Sequence, residues 1–347
     1  MYKVKSMYKV RLSNFELLRI VCMVMICLLH AHTFVSGNPT KAEIVYSPLP
    51  SFFRVFIYYL TIVSVDVFVL ISGWFGIRFS LKKFSSLLFQ VLFFVVVGSI
   101  ICFDQLQHLS IGGILGALVM GNSEYWFIKV YLLLMLFIPI INSFIENTCK
   151  KQLEFVLLGG FAFLFFYGWV FPDSTDWILH GYSFPCFVYL YILGRYLRLY
   201  PNRLTLCKCH NYMFIYFGLG MISTFFELFL ISRNIDFKGR QHFYFSPIII
   251  LMSVSLLLMF SKIKIQNKVI NWVSISSLSV YLFHNHFLFF EKIYQPVILN
   301  LWIKNSYLIY VVKLFLFCIF IFIISVLLDK IRIFLFKLFL KTINIRL

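Results

Sequence analysis

Apolar runs of about twenty residues follow one another along almost the whole chain, parted by short basic or Pro-, Asn- and Asp-bearing segments. A helix needs about that length to cross a hydrocarbon core ~30 Å thick, and backbone polar groups in lipid are satisfied only in helices or closed barrels. The runs are too long and too weakly alternating for barrel strands of ~10 residues. The sequence therefore reads as all-α, a polytopic integral-membrane helical bundle. Of 347 residues, 61% are hydrophobic and only 13% charged, about half the ~25% of a soluble domain. Ten spans are expected, near 14–35, 52–77, 84–104, 125–145, 153–171, 179–197, 211–231, 243–261, 271–291 and 306–328. The chain, 1–347, reads as one domain whose spans fill 14–328. Residues 329–347 form an amphipathic tail expected to lie on the inner membrane surface. The segment IGGILGALVM, 111–120, is too short to cross and is expected to be re-entrant or interfacial.

The formal net charge of +18 is distributed by position. Alternate joints between spans, with the two chain ends, hold 21 of the 31 lysines and arginines; the other joints hold seven, and Arg19, Lys129 and Lys313 lie within spans. Excess Lys and Arg mark the cytoplasmic side of a bilayer, so both termini are expected there. This placement answers an anionic leaflet and argues against a nucleic-acid partner. The early segment MYKVKSMYKVR has no small-x-small cleavage site and is not read as a cleavable signal. Eight cysteines sit mostly in apolar runs, and Cys207-Lys208-Cys209 lacks the spacer of a zinc knuckle. No metal site is expected.

Ionisable residues inside spans mark functional sites by default, because a charge at the bilayer centre costs about 2.5–3.5 kcal/mol on insertion scales. In Phe15–His32, the residues Glu16, Arg19 and His30 fall within about 60° on a helical wheel, and Arg19 and His30 stand ~16 Å apart along the axis. Asp66 is the only acid between Glu43 and Asp104, and Gly73, seven residues on, leaves room for a close helix or a ligand. An acid so placed needs a partner, for which Arg19 and His30 are candidates. Tyr125 and Trp126 open the fourth span, with Lys129 four residues after Tyr125. In the ninth, Ser277, Tyr281 and His284 share a face by i, i+4, i+7 spacing. The chain has no G-x-S-x-G elbow, P-loop, dinucleotide fingerprint or H-E-x-x-H. Carboxylate, imidazole and cations spread over several helices suit proton transfer to or from a bound group. They do not choose between a transferase and a proton-coupled exporter of a glycan or small anion.

Four segments together resemble the membrane acyltransferase type 3 family of bacterial sugar and glycan O-acyltransferases. They are Glu16-Leu-Leu-Arg19 with eleven residues to His30, Val65-Asp66-Val-Phe-Val-Leu-Ile-Ser72-Gly73, Tyr125-Trp126-Phe127, and Ser279-Val-Tyr281-Leu-Phe-His284. The resemblance implies an enzyme of the bacterial cytoplasmic membrane that passes an acyl group, most often acetyl from acetyl-CoA, to a hydroxyl of an exported polysaccharide or lipid-linked glycan. The acyl-CoA is a donor substrate, and no permanently bound cofactor is implied. The family's first-helix histidine and arginine fall on His30 and Arg19, its usual Asp on Glu16, and its second-helix acid on Asp66. Where some members carry an Arg-x-x-Arg pair for the donor, this chain has Arg78 followed by Lys82 and Lys83, whose ammonium groups lack the rigid fork of arginine. Tyr125, Trp126, Lys129, Tyr281 and His284 are expected to contact the acceptor. The esterase-like domain appended in some members has no counterpart in the sequence, and self-association is left open.

Overall fold

The computed structural model describes residues 11–106, 116, 125–171 and 178–342, and no strand forms among them. The first helix, α1, Ser13–Ala31, runs into a π-helical turn, His32–Ser36. A short α2, Lys41–Tyr46, is closed by a capping box between Thr40 and Glu43. Burial works to raise the Glu43 carboxyl, but hydrogen bonds from Thr40 and Arg54 outweigh it and hold the group below its ordinary 4.5. The second traverse is two helices, α3, Pro48–Ile62, and α4, Ser64–Phe75, divided at Val63. There follow α5, Leu81–Ile101, α6, Trp126–Asn147, α7, Lys150–Phe163, and α8, Phe184–Leu199. Next come α9, Cys209–Arg233, α10, Pro247–Ser261, α11, Lys268–Ser274, and α12, Ser277–His284. The chain closes with α13, Gln295–Lys304, and the 36-residue α14, Tyr307–Thr342.

Among the described residues, eight helical stretches are long and apolar enough to cross a membrane. The other two expected spans, 179–197 and 271–291, take shorter forms. Pro185 fixes the start of α8 after a turn at Leu179–Gly181. The serines at 274, 276, 277 and 279 break the other: the Ser279 hydroxyl bonds the Ser276 carbonyl, competing with the helical ladder. The expected division at 329 is absent, and residues 329–342 prolong α14, which has no Gly or Pro to stop it. The 111–120 segment, apart from Gly116, lies outside the described residues.

Polar contacts gather several of the joints at two ends of the bundle. At one end Ser13 donates to Asn271 at 2.8 Å, Lys262 to the Thr205 carbonyl at 2.8 Å, and Asn142 to the Ile77 carbonyl at 2.8 Å. These contacts join the joints that carry the excess of basic residues, and this is called the basic end. At the opposite end Arg54, 8% exposed, grips the carbonyls of Ser36, Gly37 and Asn38 and pairs with Glu43 at 3.0 Å. There Glu227 of α9 accepts from Asn38 at 2.9 Å, Tyr59 at 3.1 Å and Gln241 at 2.7 Å.

The centre of the bundle is α1 and α4, with α3, α8, α10, α12 and α14 around them. Nearly every residue of α4 is buried, whereas α7 turns Phe155 and Leu158 outward, as a lipid-facing helix does. Gly73 makes the close approach its sequence position suggested. A Cβ there would collide with the Tyr191 carbonyl oxygen, and one at Gly194 with the Leu70 carbonyl oxygen. Two glycines, one on α4 and one on α8, thus let the two backbones touch.

Candidate active site

His30 sits in the last turn of α1, just before the π turn, and α12 presents His284 to it from the facing side. The Nδ1 of His30 lies 2.9 Å from the Nε2 of His284, and the Nδ1 of His284 lies 2.5 Å from the Val280 carbonyl oxygen. A carbonyl only accepts, so the Nδ1 of His284 carries the proton. With both rings neutral, its Nε2 is then an acceptor, and His30 donates through Nδ1. The Nε2 of His30 is left with a free lone pair. The hydrogen-bond chain therefore selects the tautomer a general base requires.

His30 lines a cavity of about 450 Å³ whose walls come from α1, α4, α6 and the 281–295 segment. Tyr281 and Trp126 line it as anticipated, and Tyr182, Tyr244, Phe34 and Phe290 complete a largely aromatic wall. The rings interlock: Trp126 lies 4.4 Å from Tyr182, and Tyr182 lies 4.8 Å from Tyr244. Asn285, Glu291 and Gln295 supply polar groups at the same wall. Such a lining, apolar and aromatic with a few polar groups, is that of an organic-ligand pocket.

The other expected residues divide between supporting and separate positions. Tyr125 is buried behind the wall, with its hydroxyl donating to the Leu282 carbonyl at 2.7 Å, where it steadies α12. Lys129 is exposed and does not line the cavity. Its expected alignment with Tyr125 fails because Tyr125 is the non-helical N-cap of α6, so the i, i+4 relation does not apply. Asp66 is not beside His30 or Arg19. Its Oδ2 accepts from Ser253 of α10 at 3.4 Å, and neighbouring Val65, not Asp66, faces the cavity.

Glu16 and Arg19 form an ion pair of 2.7 Å near the basic end, and Glu16 also accepts from Ser274 at 2.6 Å. Glu16 is thus ~21 Å from His30 along the helix, too far to orient the imidazole. The pair instead bolts α1 to α11. The Arg19 guanidinium lies over the ring of Phe75, 5.8 Å from its centre, and Phe75 walls a second cavity.

That second cavity, about 470 Å³, opens at the basic end and is lined by Arg78, Lys83 and Arg195 with Gly76, Asn142 and Glu146. Gly76 has φ +60°, and the Arg195 guanidinium occupies the space where a Cβ would stand. Lys82 faces a neighbouring groove. Phe68 lines the His30 cavity and Phe75 the basic one, seven residues or about 10 Å apart on α4. One helix therefore connects an imidazole site to a cationic site.

The comparison with known proteins supplies the family. The model of the acyltransferase 3 family, described as an acyltransferase domain, matches residues 12–330. The chain belongs to the acyltransferase 3 family. Membership selects group transfer over export, the choice the residues alone left open. No curated protein and no solved structure matches the chain. The acyltransferase is thus a multi-pass membrane enzyme built on a helical bundle.

Sequence reasoning did not anticipate Tyr182, Tyr244, Phe290 or Glu291. Tyr182 and Tyr244 precede helices and carry no periodic signal. Phe290 and Glu291 close the expected ninth span, 271–291, but fold as the start of a π-helical turn, Phe290–Tyr294. The pairing of His30 with His284 was also unreadable, since 254 residues separate them.

Proposed function

We propose that this acyltransferase moves an acetyl group from acetyl-CoA to a hydroxyl of an exported polysaccharide or lipid-linked glycan in the bacterial cytoplasmic membrane. The observation that carries the reading is His30, its Nε2 lone pair left free by the hydrogen bond to His284, at the wall of an aromatic cavity. Aromatic faces with a few polar groups suit a sugar, whose C–H faces stack on rings and whose hydroxyls need partners.

The basic end is read as cytoplasmic from the distribution of Lys and Arg. There Arg78, Lys83 and Arg195 line the second cavity and answer the phosphates of the donor. Arg19, over Phe75, adds positive potential beside it. The pantetheine arm extends from the cationic cavity along α4 toward His30.

His30 takes the proton of the acceptor hydroxyl at Nε2 as the oxygen attacks the thioester carbonyl. The C–O bond forms and the C–S bond breaks. The thiolate of coenzyme A then recovers the proton from His30, so the imidazole ends as it began. His284 Nε2 accepts the hydrogen bond from His30 Nδ1–H throughout and holds the ring in its tautomer. Asp66, seated against Ser253, serves the contact of α4 with α10.

The test supplies acetyl-labelled acetyl-CoA to membranes from cells with and without the gene, then assays ester-linked label in extracted glycans. Label in a glycan only when the gene is present supports the proposal. Label that stays on coenzyme A, or reaches ester linkage equally without the gene, overturns it.

A further inference from the structure

The halves of α5 and α14 nearest the basic end face each other across a groove of about 680 Å³ that shares Lys83 with the donor cavity and is otherwise outside the acyl-transfer reading. Its cations come from both helices: Lys82 and Lys83 from the first turn of α5, and Arg332, Lys337 and Lys341 from α14. Lys337 and Lys341, four residues apart, share one side of that helix, whereas Arg332 is buried at its contact with α5. No acid stands among the described lining residues. Arg332 is 5% exposed and locked in place, with Asp329 accepting from it at 2.9 and 2.8 Å and Ser86 at 3.2 Å. Gln90 holds Asp329 from the α5 side at 2.8 Å. The ring of Phe89 lies 5.2 Å from that of Phe336, closing the two helices together below the cations.

We infer that this groove binds the phosphate of an anionic phospholipid from the leaflet at the basic end. With Arg332 balanced by Asp329, four lysines, Lys82, Lys83, Lys337 and Lys341, line the groove with no acid among the described lining residues and repel one another until an anion enters. The groove is also amphipathic: beneath the charged rim, Leu87, Ile333, Phe336 and Leu340 form an apolar floor. A soluble phosphate compound has no use for that floor, whereas acyl chains do. The level is that of a headgroup, because Lys82 and Lys83 stand at the very start of a membrane-length helix. Basic pockets between helices on the cytoplasmic side are where anionic headgroups dock. The inference goes beyond the acyl-transfer reading and does not depend on which acyl group or acceptor is used.

The full chain, purified in detergent, is titrated with phosphatidylglycerol or phosphatidylcholine, and bound lipid is counted by native mass spectrometry. Phosphatidylglycerol is expected to be retained in preference to phosphatidylcholine. The double replacement Lys337→Gln, Lys341→Gln is expected to weaken that retention by about twenty-fivefold, near fivefold for each cation lost beside an anionic headgroup. The pair Lys264→Gln, Lys268→Gln, at the same end but outside the groove, is expected to leave it unchanged. Should the double variant yield no folded protein, each single replacement carries the fivefold expectation. Coenzyme A and inorganic phosphate are added as competitors. Equal retention by variant and wild type overturns the inference, as does displacement of the lipid by either competitor, which assigns the groove to soluble phosphates.

Discussion

His30 and His284 show how one hydrogen bond fixes the chemistry of another atom. The Val280 carbonyl sets the His284 proton on Nδ1, His284 Nε2 sets the His30 proton on Nδ1, and the lone pair at His30 Nε2 follows. Replacing His284 by Gln breaks this chain at its middle. The expected result is a kcat about a hundredfold lower, the lower end of what a general base contributes, with KM for the donor unchanged. A loss confined to the amount of folded protein, at unchanged kcat, would make His284 merely structural. Asp66→Asn is the contrasting case: it keeps its size and its contact with Ser253, so activity within about threefold of wild type is expected in the same assay. Both histidines were legible as members of polar helix faces. Their pairing was not, because a helical wheel gives a direction but not the neighbour that occupies it. Asp66 was assigned the wrong partners for that reason, and Lys129 the wrong face because its helix starts one residue after Tyr125.

At the scale of elements, the spans were readable from apolar length, and the breaks within them were not. The division of α3 from α4 at Val63 and the π turns at His32–Ser36 and Phe290–Tyr294 leave no mark in hydropathy. These two π turns border the His30 cavity, whereas a third π-helical segment, Leu164–Val170, does not. The seam of Gly73 and Gly194 was half legible: the glycine was noticed, but its partner helix was not. Because the obstacle at each is backbone carbonyl, no rotamer change relieves it. Gly73→Ala is expected to destabilise the bundle by about 1–3 kcal/mol, the usual cost of overpacking. Gly218→Ala, on α9 with no atom near its added Cβ, is expected to be neutral or slightly stabilising. Denaturant unfolding of both variants in detergent checks this, and an unperturbed Gly73→Ala would contradict the seam.

Across the whole molecule, the alternation of basic and neutral joints matches the way the structure gathers them. At one end the joint near 267 meets the start of α1, that near 205 meets Lys262 and that near 77 meets Asn142, while 36–43, 227 and 241 meet at the other. The cationic cavity lies at the first end, and the imidazole cavity farther along α1 and α4. Under the proposed function, donor and acceptor approach from opposite faces, and the acyl group passes through the bundle between them. Glu16, expected to orient the imidazole, belongs instead to the framework of the basic end, where it pairs with Arg19, whose expected role as a balance to the acids holds there. The central claim is that His30 abstracts the acceptor proton, and its most direct test is the ester content of surface glycans in cells whose only copy of the gene encodes His30→Ala. At wild-type levels of the protein in the membrane, ester content is expected to fall below detection, as a base worth about 10²–10⁴ in rate requires. Wild-type ester content from that variant would contradict the account.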